Sequence, residues 1–404
     1  MLNSNAFHVM IKPTGSLCNL DCTYCFYLEK EKLYPGNTEW KMNDQVLETY
    51  IRQYIQIQKV DEITFAWQGG EPTLLGVDYF RKIIHLQEKY ANGKVIHNSF
   101  QTNGVLLDND WGKFFSENKF LIGISIDGPQ EIHDKYRVFK GGQESFEKVM
   151  QGVEILKKYQ VDFNTLSCVQ KDNSYKPSEV YNFLKEIGSG FMQFIPIVER
   201  ITTKISDNEI NLVSPNYEKE AKVTDWSVES IQFGKFLSAI FDEWVRYDVG
   251  KYYVQIFDIS LETWIGEKAS LCVFRDTCGG AMALEHNGDL YSCDHYVYPE
   301  NKLGNIMTDL LQTMVNSGKQ TKFGIEKKMK LPAYCRNCDF LFACNGECPK
   351  HRFIKTPDGE DGLNYLCAGY KHFFNHIDPY MQFMANELLN HRPPANVMKW
   401  VRNK

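Results

Sequence analysis

Between Phe7 and Val198 the chain alternates six short β-rich runs with amphipathic stretches of helical period, and this alternation limits the possible folds more than any other feature. The runs are FHVMIK (7–12), EITFAW (62–67), KVIHNSFQ (94–101), LIGISI (121–126), VDFNTLSCV (161–169) and FMQFIPIV (191–198). Between them lie segments such as NDQVLETYIRQYIQI and SFEKVMQGVEILKKY, whose apolar residues recur at helical spacing. Strands separated by helices pair in parallel through right-handed crossovers, which curl the sheet toward a barrel. Six units fall short of the usual eight, so the sequence predicts an α/β fold built on an open, partial (β/α)6 TIM-type barrel. Chemistry in such barrels gathers at the C-terminal strand ends. The informative residues fall there: a three-cysteine loop after the first run, QGGEP (68–72) after the second, QTNG (101–104) after the third and SIDGP (125–129) after the fourth.

Cysteine usage adds a second constraint. Eleven of the twelve cysteines fall in clusters, which in a reducing compartment point to metal or redox chemistry rather than to disulfides. The compartment expected is the cytoplasm. No apolar run approaches the ~20 residues that cross a bilayer, and Met1 to Leu17 lacks the basic start, apolar stretch and cleavage site of a signal peptide. A net charge of −6 supplies no basic field for nucleic acid, so neither membrane nor nucleic acid is an expected partner. The twelfth cysteine, Cys168, lies within the fifth β-rich run and reads as a small buried hydrophobe. Residues 199–226 are polar and read as an irregular loop, and SVESIQFGKFLSAIFDEWVRY follows as a helical bridge. The expected organisation is a barrel over 1–226, a bridging helical segment over 227–271, a cysteine-rich domain over 272–370 and a C-terminal helical segment over 371–404.

Cys18, Cys22 and Cys25 follow C-x3-C-x2-C, a spacing short enough for one loop to wrap a compact metal centre. A four-iron cube usually takes four thiolates. Three leave one iron without a protein ligand, and an open coordination position marks a catalytic centre. A three-thiolate zinc site completed by a remote histidine is the alternative. The run CNLDCTYC resembles the signature of radical S-adenosylmethionine (SAM) enzymes. That resemblance implies that SAM chelates the open iron through its amino and carboxylate groups and is split to methionine and a 5'-deoxyadenosyl radical. It further implies that Gly69 and Gly70 receive the SAM amino group, Tyr24 contacts the adenine, Val198 frames it, Ser125 meets the ribose and Arg137 pairs with the carboxylate. Glycine suits its role because backbone carbonyls approach without a Cβ in the way, and arginine through its two-pronged donors.

Eight more thiols follow: Cys272, Cys278, Cys293, Cys335, Cys338, Cys344, Cys348 and Cys367. They fit two four-thiolate centres, and zinc suits the C-x2-C pair equally well. The pattern C-x9-G-x4-C, then C-x2-C-x5-C-x3-C and a lone cysteine, resembles the SPASM domain of peptide-modifying radical SAM enzymes. It implies two auxiliary four-iron clusters with interleaved ligands, Cys272, Cys278, Cys293 and Cys348 for one and Cys335, Cys338, Cys344 and Cys367 for the other. With the cysteine loop this makes three 4Fe-4S clusters.

The stretches KPTGSLCNLDCTYCFY, FAWQGGEPTL, SFQTNG, SIDGPQEIHDKYR and SCDHYV together resemble anaerobic sulfatase-maturating enzymes over nearly the whole chain. The implied reaction oxidises a cysteine or serine of a sulfatase polypeptide to Cα-formylglycine, with an electron donor such as flavodoxin or ferredoxin. Removing a hydrogen from an unactivated Cβ needs a carbon radical, which SAM supplies. A base must then take the thiol or hydroxyl proton while an electron leaves toward an auxiliary cluster. Asp294, next to Cys293, is the candidate base, with Tyr27, Gln68 and Gln101 positioning the peptide. An ordinary Asp taking a thiol proton works uphill by roughly 6 kcal/mol. Burial that raises the Asp pKa or prior acidification of the substrate by an adjacent carbon radical would close that gap, and the second is expected. The rival readings are a SPASM maturase that forms thioether or carbon-carbon links in ribosomal peptides, and a non-enzymatic iron-sulfur or zinc module.

Overall fold

The computed structural model describes residues 7–34, 39–202, 212–217 and 220–403. Six strands follow one another in parallel register: β1 (His8–Lys12), β2 (Glu62–Trp67), β3 (Val95–Thr102), β4 (Leu121–Ser125), β5 (Phe163–Val169) and β6 (Phe191–Pro196). Each agrees with a β-rich run of the sequence to within two residues at either end. The crossovers are α1 (Asp44–Ile57), α2 (Val77–Tyr90), α3 (Asn109–Glu117), α4 (Gln130–His133), α5 (Phe146–Lys158) and α6 (Pro177–Glu186). Local chemistry sets their starts. The Asn43 side chain accepts from Val46 N at 2.9 Å, Asp108 accepts from Asp110 N and Trp111 N, and Pro177 occupies the first turn of α6, each supplying or removing a donor that the helix end leaves unpaired. Under the crossovers Phe80, Phe100, Trp111 and Phe115 interlock with ring centroids 4.9 to 5.6 Å apart, a spacing typical of favourable aromatic pairs.

The sheet does not stop at six strands. After the two-residue strands β7 (Arg200–Ile201) and β8 (Lys222–Val223), which pair antiparallel, β9 (Tyr253–Val254) joins β6 in parallel. On the other edge β10 (Ala281–Glu285) pairs in parallel with β1, from His8 opposite Ala281 to Lys12 opposite Glu285. The strands β11 (Asp289–Tyr291) and β12 (Lys302–Asn305) extend that edge antiparallel, giving one ten-stranded sheet. The segment read as an irregular loop over 199–226 thus holds a small hairpin where it is described; residues 203–211 and 218–219 of that reading lie outside the described residues.

Two further helices, α7 (Ser230–Tyr247) and α8 (Gln255–Trp264), form the bridge. The long helix Cys367–Leu389 packs on α7 and runs across position 370, so the cysteine-rich region and the C-terminal helical segment share one element. The two helices cross at glycines. A Cβ on Gly369 would stand 1.9 Å from Ser230 O, and one on Gly234 would stand 2.2 Å from Gly369 O. Among the described residues no helix is long and apolar enough to cross a membrane.

Gly369→Ala is therefore expected to force the helices apart and cost about 1–3 kcal/mol, the range for overpacking. Thermal unfolding of the reconstituted protein checks it, with Gly190→Ala as the silent control because a Cβ there meets nothing within 4 Å. A wild-type midpoint for Gly369→Ala would contradict the close crossing.

Candidate active site

The site grows from the C-terminal end of β1. After Lys12 the backbone turns through Gly15, whose N–H donates to Lys12 O at 3.0 Å and whose φ of +53° lies in the left-handed region. The loop that follows is seated on QGGEP: Gly70 N donates to Gly15 O at 2.7 Å and Glu71 N to Leu17 O at 2.8 Å. A Cβ on Gly70 would stand 2.0 Å from Leu17 O, so only glycine permits this approach. Glu71 is fully buried and accepts from Thr73 N, Thr73 Oγ1, Thr102 Oγ1 and Asn103 N at 2.6 to 3.0 Å. It ties the ends of β2 and β3 beneath the loop. Asn103 Nδ2 in turn points at Cys18 Sγ, 3.8 Å away.

Cys18, Cys22 and Cys25 share this loop, closed by Cys25 N donating to Cys22 O at 2.9 Å. Burial pushes the Cys18 thiol up to about 12, with the Glu71 carboxylate and Cys25 adding to it. Burial also raises Cys22 and Cys25, and Cys22 feels the charge of both other thiols. Deprotonating any one of them therefore needs a cation, which a metal cluster provides.

Behind the loop lies a buried polar knot. Asp127 of SIDGP accepts from the Tyr24 hydroxyl and, at 3.0 Å, from Cys168 N, and pairs with Arg137 Nε at 3.1 Å. Arg137 Nη2 stands 3.5 Å from Cys168 Sγ, and its guanidinium lies 5.5 Å from the centre of the Tyr24 ring. Cys168, read from its strand as a small buried hydrophobe, does pack against an apolar cluster, and it also sits beside Arg137 and Asp127. It is only partly buried and belongs to the same cluster as Tyr24 and Cys22, and burial pushes its thiol up to about 12. Inside the barrel Gln101 Nε2 donates to Ser125 Oγ at 2.9 Å. Gln68 follows β2, and its buried Oε1 finds no hydrogen-bond donor among the described residues. Val198 is buried and lines a cavity at the barrel mouth with Phe26, Glu199, His295, Lys350 and Phe353.

The cysteine-rich region brings its thiols together in two sets. Cys293 feels Cys348 and Cys272, and Cys348 feels Cys278 and Cys272. Separately, Cys344 feels Cys367 and Cys335, and Cys367 feels Cys335 and Cys338. Burial is the first cause of every one of these raised thiols. Among the described residues no group of three or more His, Cys, Asp or Glu side chains is gathered tightly enough for a single metal ion. The fit to a cluster therefore rests on the all-thiolate donor sets and their mutual coupling.

Asp294 sits on the short 3-10 turn that follows Cys293. Its Oδ1 stands 2.5 Å from Lys12 Nζ. Burial pushes the Asp294 carboxyl up, but the Lys12 ammonium outweighs it, with the Lys350 ammonium adding to it, and the group is held below its ordinary value. The raised pKa that would ease proton uptake by Asp294 is therefore not found here. Burial lowers His295 to about 3, so it stands neutral beside the carboxylate. Tyr27 reaches the same place, but its hydroxyl is given to Glu285, and its ring face holds Lys12 Nζ at 3.8 Å. It is a platform for Lys12 more than a free donor. Asp127, Glu71, Lys12 and Glu285 were not singled out from the sequence. The available signal was a charged residue ending a strand, as Lys12 and Glu285 do, or lying in the loop just past one, as Glu71 and Asp127 do, where burial calls for a partner.

A three-cysteine loop at the mouth of a partial barrel, joined to a cysteine-rich domain, defines a radical SAM enzyme. Residues 13–184 match the radical SAM superfamily and residues 272–339 the SPASM iron-sulfur cluster-binding domain, so the protein carries 4Fe-4S chemistry. A serine-type anaerobic sulfatase-maturating enzyme of Bacteroides thetaiotaomicron is 50% identical over 396 residues, 98% of this chain and 95% of the relative. A cysteine-type enzyme of Clostridium perfringens is 36% identical over 94% of this chain and 98% of its own length. The solved structure of native anSMEcpe with bound AdoMet and Cp18Cys peptide superposes with a TM-score of 0.83 at 35% identity, covering 95% of this chain and 100% of that one. The chain belongs to the anaerobic sulfatase-maturating enzymes. Streptococcus suis SuiB, at 13% identity and a TM-score of 0.57, shares the fold.

Asp127→Asn is expected to strand Arg137 in the interior, since breaking a buried pair costs about 3–5 kcal/mol. Thermal unfolding should show a clear loss; an unchanged midpoint would mean that Arg137 has another buried anion.

Proposed function

We propose that this protein oxidises a serine or cysteine of a sulfatase polypeptide to Cα-formylglycine in the cytoplasm, drawing electrons from a flavodoxin- or ferredoxin-type donor. The observation that carries the reading is Asp294. Its carboxylate follows directly on a thiol of the first auxiliary set and is ion-paired to the last residue of β1, so it stands on the same rim as the three-cysteine loop. In this reading Cys18, Cys22 and Cys25 hold the open-site cluster. Cys272, Cys278, Cys293 and Cys348 hold one auxiliary cluster, and Cys335, Cys338, Cys344 and Cys367 the other, three in all. The mutual coupling within each set supports that partition. Tyr24, Gly69, Gly70, Ser125, Arg137 and Val198 would hold SAM, and Tyr27, Gln68 and Gln101 would border the peptide.

Cys18, Cys22 and Cys25 would hold the cluster at which bound SAM would supply hydrogen-abstracting radical chemistry, and the auxiliary sets Cys272, Cys278, Cys293, Cys348 and Cys335, Cys338, Cys344, Cys367 would hold clusters able to accept the second electron. Asp294 receives the hydroxyl or thiol proton, which completes the loss of two hydrogens and two electrons from the side chain. Serine gives the aldehyde directly; cysteine gives a thioaldehyde that water hydrolyses. Because Lys12 holds Asp294 low, the carboxylate is a weak base, and the proton is transferable only once the adjacent carbon radical has acidified the group.

The test is Asp294→Asn with paired Ser and Cys peptides, because relatives of both types align over more than nine-tenths of the chain. The variant should bind roughly 12 irons and cleave SAM, while aldehyde per 5'-deoxyadenosine falls ~10²–10⁴-fold, the usual weight of acid-base catalysis. With substrate deuterated at Cβ, label should still reach 5'-deoxyadenosine. Wild-type coupling would remove Asp294 from the reaction, and zinc in the auxiliary sites would overturn the cluster assignment.

A further inference from the structure

Lys12 closes the first barrel strand, yet the carboxylates around it come from the far end of the chain. The β1–β10 register places it directly opposite Glu285, so the two side chains leave the sheet on the same side. Lys12 and Glu285 are each 1% exposed. The Lys12 ammonium lies 2.5 Å from Asp294 Oδ1 and 3.8 Å from the centre of the Tyr27 ring. The Tyr27 hydroxyl donates to Glu285 Oε1, and Glu285 Oε2 stands 3.4 Å from His286 Nδ1. The groups therefore form a row, Glu285, Tyr27, Lys12, Asp294, buried except at its Asp294 end. The ring carries the cation on its face and gives its hydroxyl to the second carboxylate.

Among the described residues Lys12 is the only cation within ion-pair distance of Asp294. Lys350, the next cation on this side, is committed to Glu199, and Lys30 lies over the Tyr298 ring. Oδ1 is buried and held by the Lys12 ion pair alone, without a hydrogen bond of good geometry, while the side chain as a whole retains 18% exposure. One oxygen is anchored and the other is open. A carboxylate on a short turn has two free torsions, and an anchor at one oxygen fixes both.

We propose that Lys12 is a positioning residue for the oxidation: it aims the open oxygen of Asp294, and Glu285 acts through Tyr27 to keep Lys12 in place. This rests on the reading of Asp294 as proton acceptor. Both carboxylates belong to the segment that β10 docks on the barrel, so the docking of the cysteine-rich region and the aiming of the base are one contact. Lys12 touches neither substrate nor cofactor in this role, and its effect passes through Asp294.

The experiment uses the reconstituted holoenzyme with a Ser peptide and reads the ratio of aldehyde to 5'-deoxyadenosine in Lys12→Met, Lys12→Arg, Glu285→Gln and Asp294→Asn. A misplacement of about 1 Å can cost on the order of 10²-fold in a positioned reaction. Lys12→Met should therefore lower the ratio by about that factor, Lys12→Arg should recover most of it, and Glu285→Gln should fall between. A lost packing contact would not be rescued by the differently shaped but charged arginine, whereas a lost anchor would. A wild-type ratio in Lys12→Met overturns the proposal, as does an arginine variant no better than the methionine one. If Lys12→Met fails to hold its iron, Glu285→Gln decides, because it keeps Lys12 and removes only the anion behind it; a wild-type ratio there overturns the proposal and a reduced one supports it. Asp294→Asn separates the two readings. If it stays coupled, the base assignment fails; if it uncouples while Lys12→Met does not, only the role of Lys12 fails.

Discussion

The parallel seam between β1 and β10 is the contact on which the rest of the molecule depends. A barrel of six strands leaves β1 with an unpaired edge, and a row of buried N–H and C=O groups without partners is costly. Five registered positions of β10 satisfy that edge. Because pairing is specified residue by residue, the seam also sets where everything beyond β10 falls. A slip by one residue would turn Glu285 to the opposite face and carry Cys293 and Asp294 away from the mouth. The cysteine-rich region is therefore placed over the barrel by strand register as well as by helix packing.

The second determinant is the seat of the cysteine loop. Gly69 and Gly70 let two backbone segments approach with no side chain between them, and Glu71 gathers four donors under the contact. A buried carboxylate is tolerated only when its lone pairs are filled, and here they are. The polar knot of Asp127, Arg137 and Tyr24 does the same on the opposite side of the loop. The loop itself contains no regular element beyond short turns, so its shape is held from outside by these two anchors. This explains why QGGEP and SIDGP occur at strand ends, the positions from which a side chain can reach across the rim.

The alternation of β-rich and amphipathic runs made the six strands and their crossovers legible, because short β-rich runs separated by stretches of helical period are the pattern that a parallel sheet with helical crossovers produces. The three-cysteine loop was legible from spacing alone. The ten-stranded extension was not. AMALE and DLY, the sequences of β10 and β11, are short and apolar, and nothing local distinguishes a strand that joins a distant barrel edge from one that pairs within its own region. The polar neighbours of Cys168 were not legible for a related reason: the pattern of a strand tells which face a residue occupies, not that Arg137 and Asp127 lie beside it. Glu285 and Lys12 carried no motif, and their partnership exists only through a register between residues far apart in sequence.

Electrostatics at the barrel mouth follow from that register. Asp294 would be pushed toward its neutral form by burial, as Asp258 is on α8, where desolvation and Glu262 raise the carboxyl to about 7. At the mouth the Lys12 ammonium reverses the outcome, and Asp294 is held low. A carboxylate kept ionised in a buried place also acts on its surroundings, and its charge is among the causes that raise the Cys293 thiol. In the proposed reaction Asp294 gains a proton while an electron leaves toward the set that includes Cys293. Like charges at close range and low dielectric repel strongly, so neutralising the carboxylate removes a charge that opposes the electron's arrival. In the proposed reaction, adjacency in the chain would make proton uptake at Asp294 and electron arrival beside Cys293 favour one another, and the Lys12 contact would fix the carboxylate from which that coupling starts.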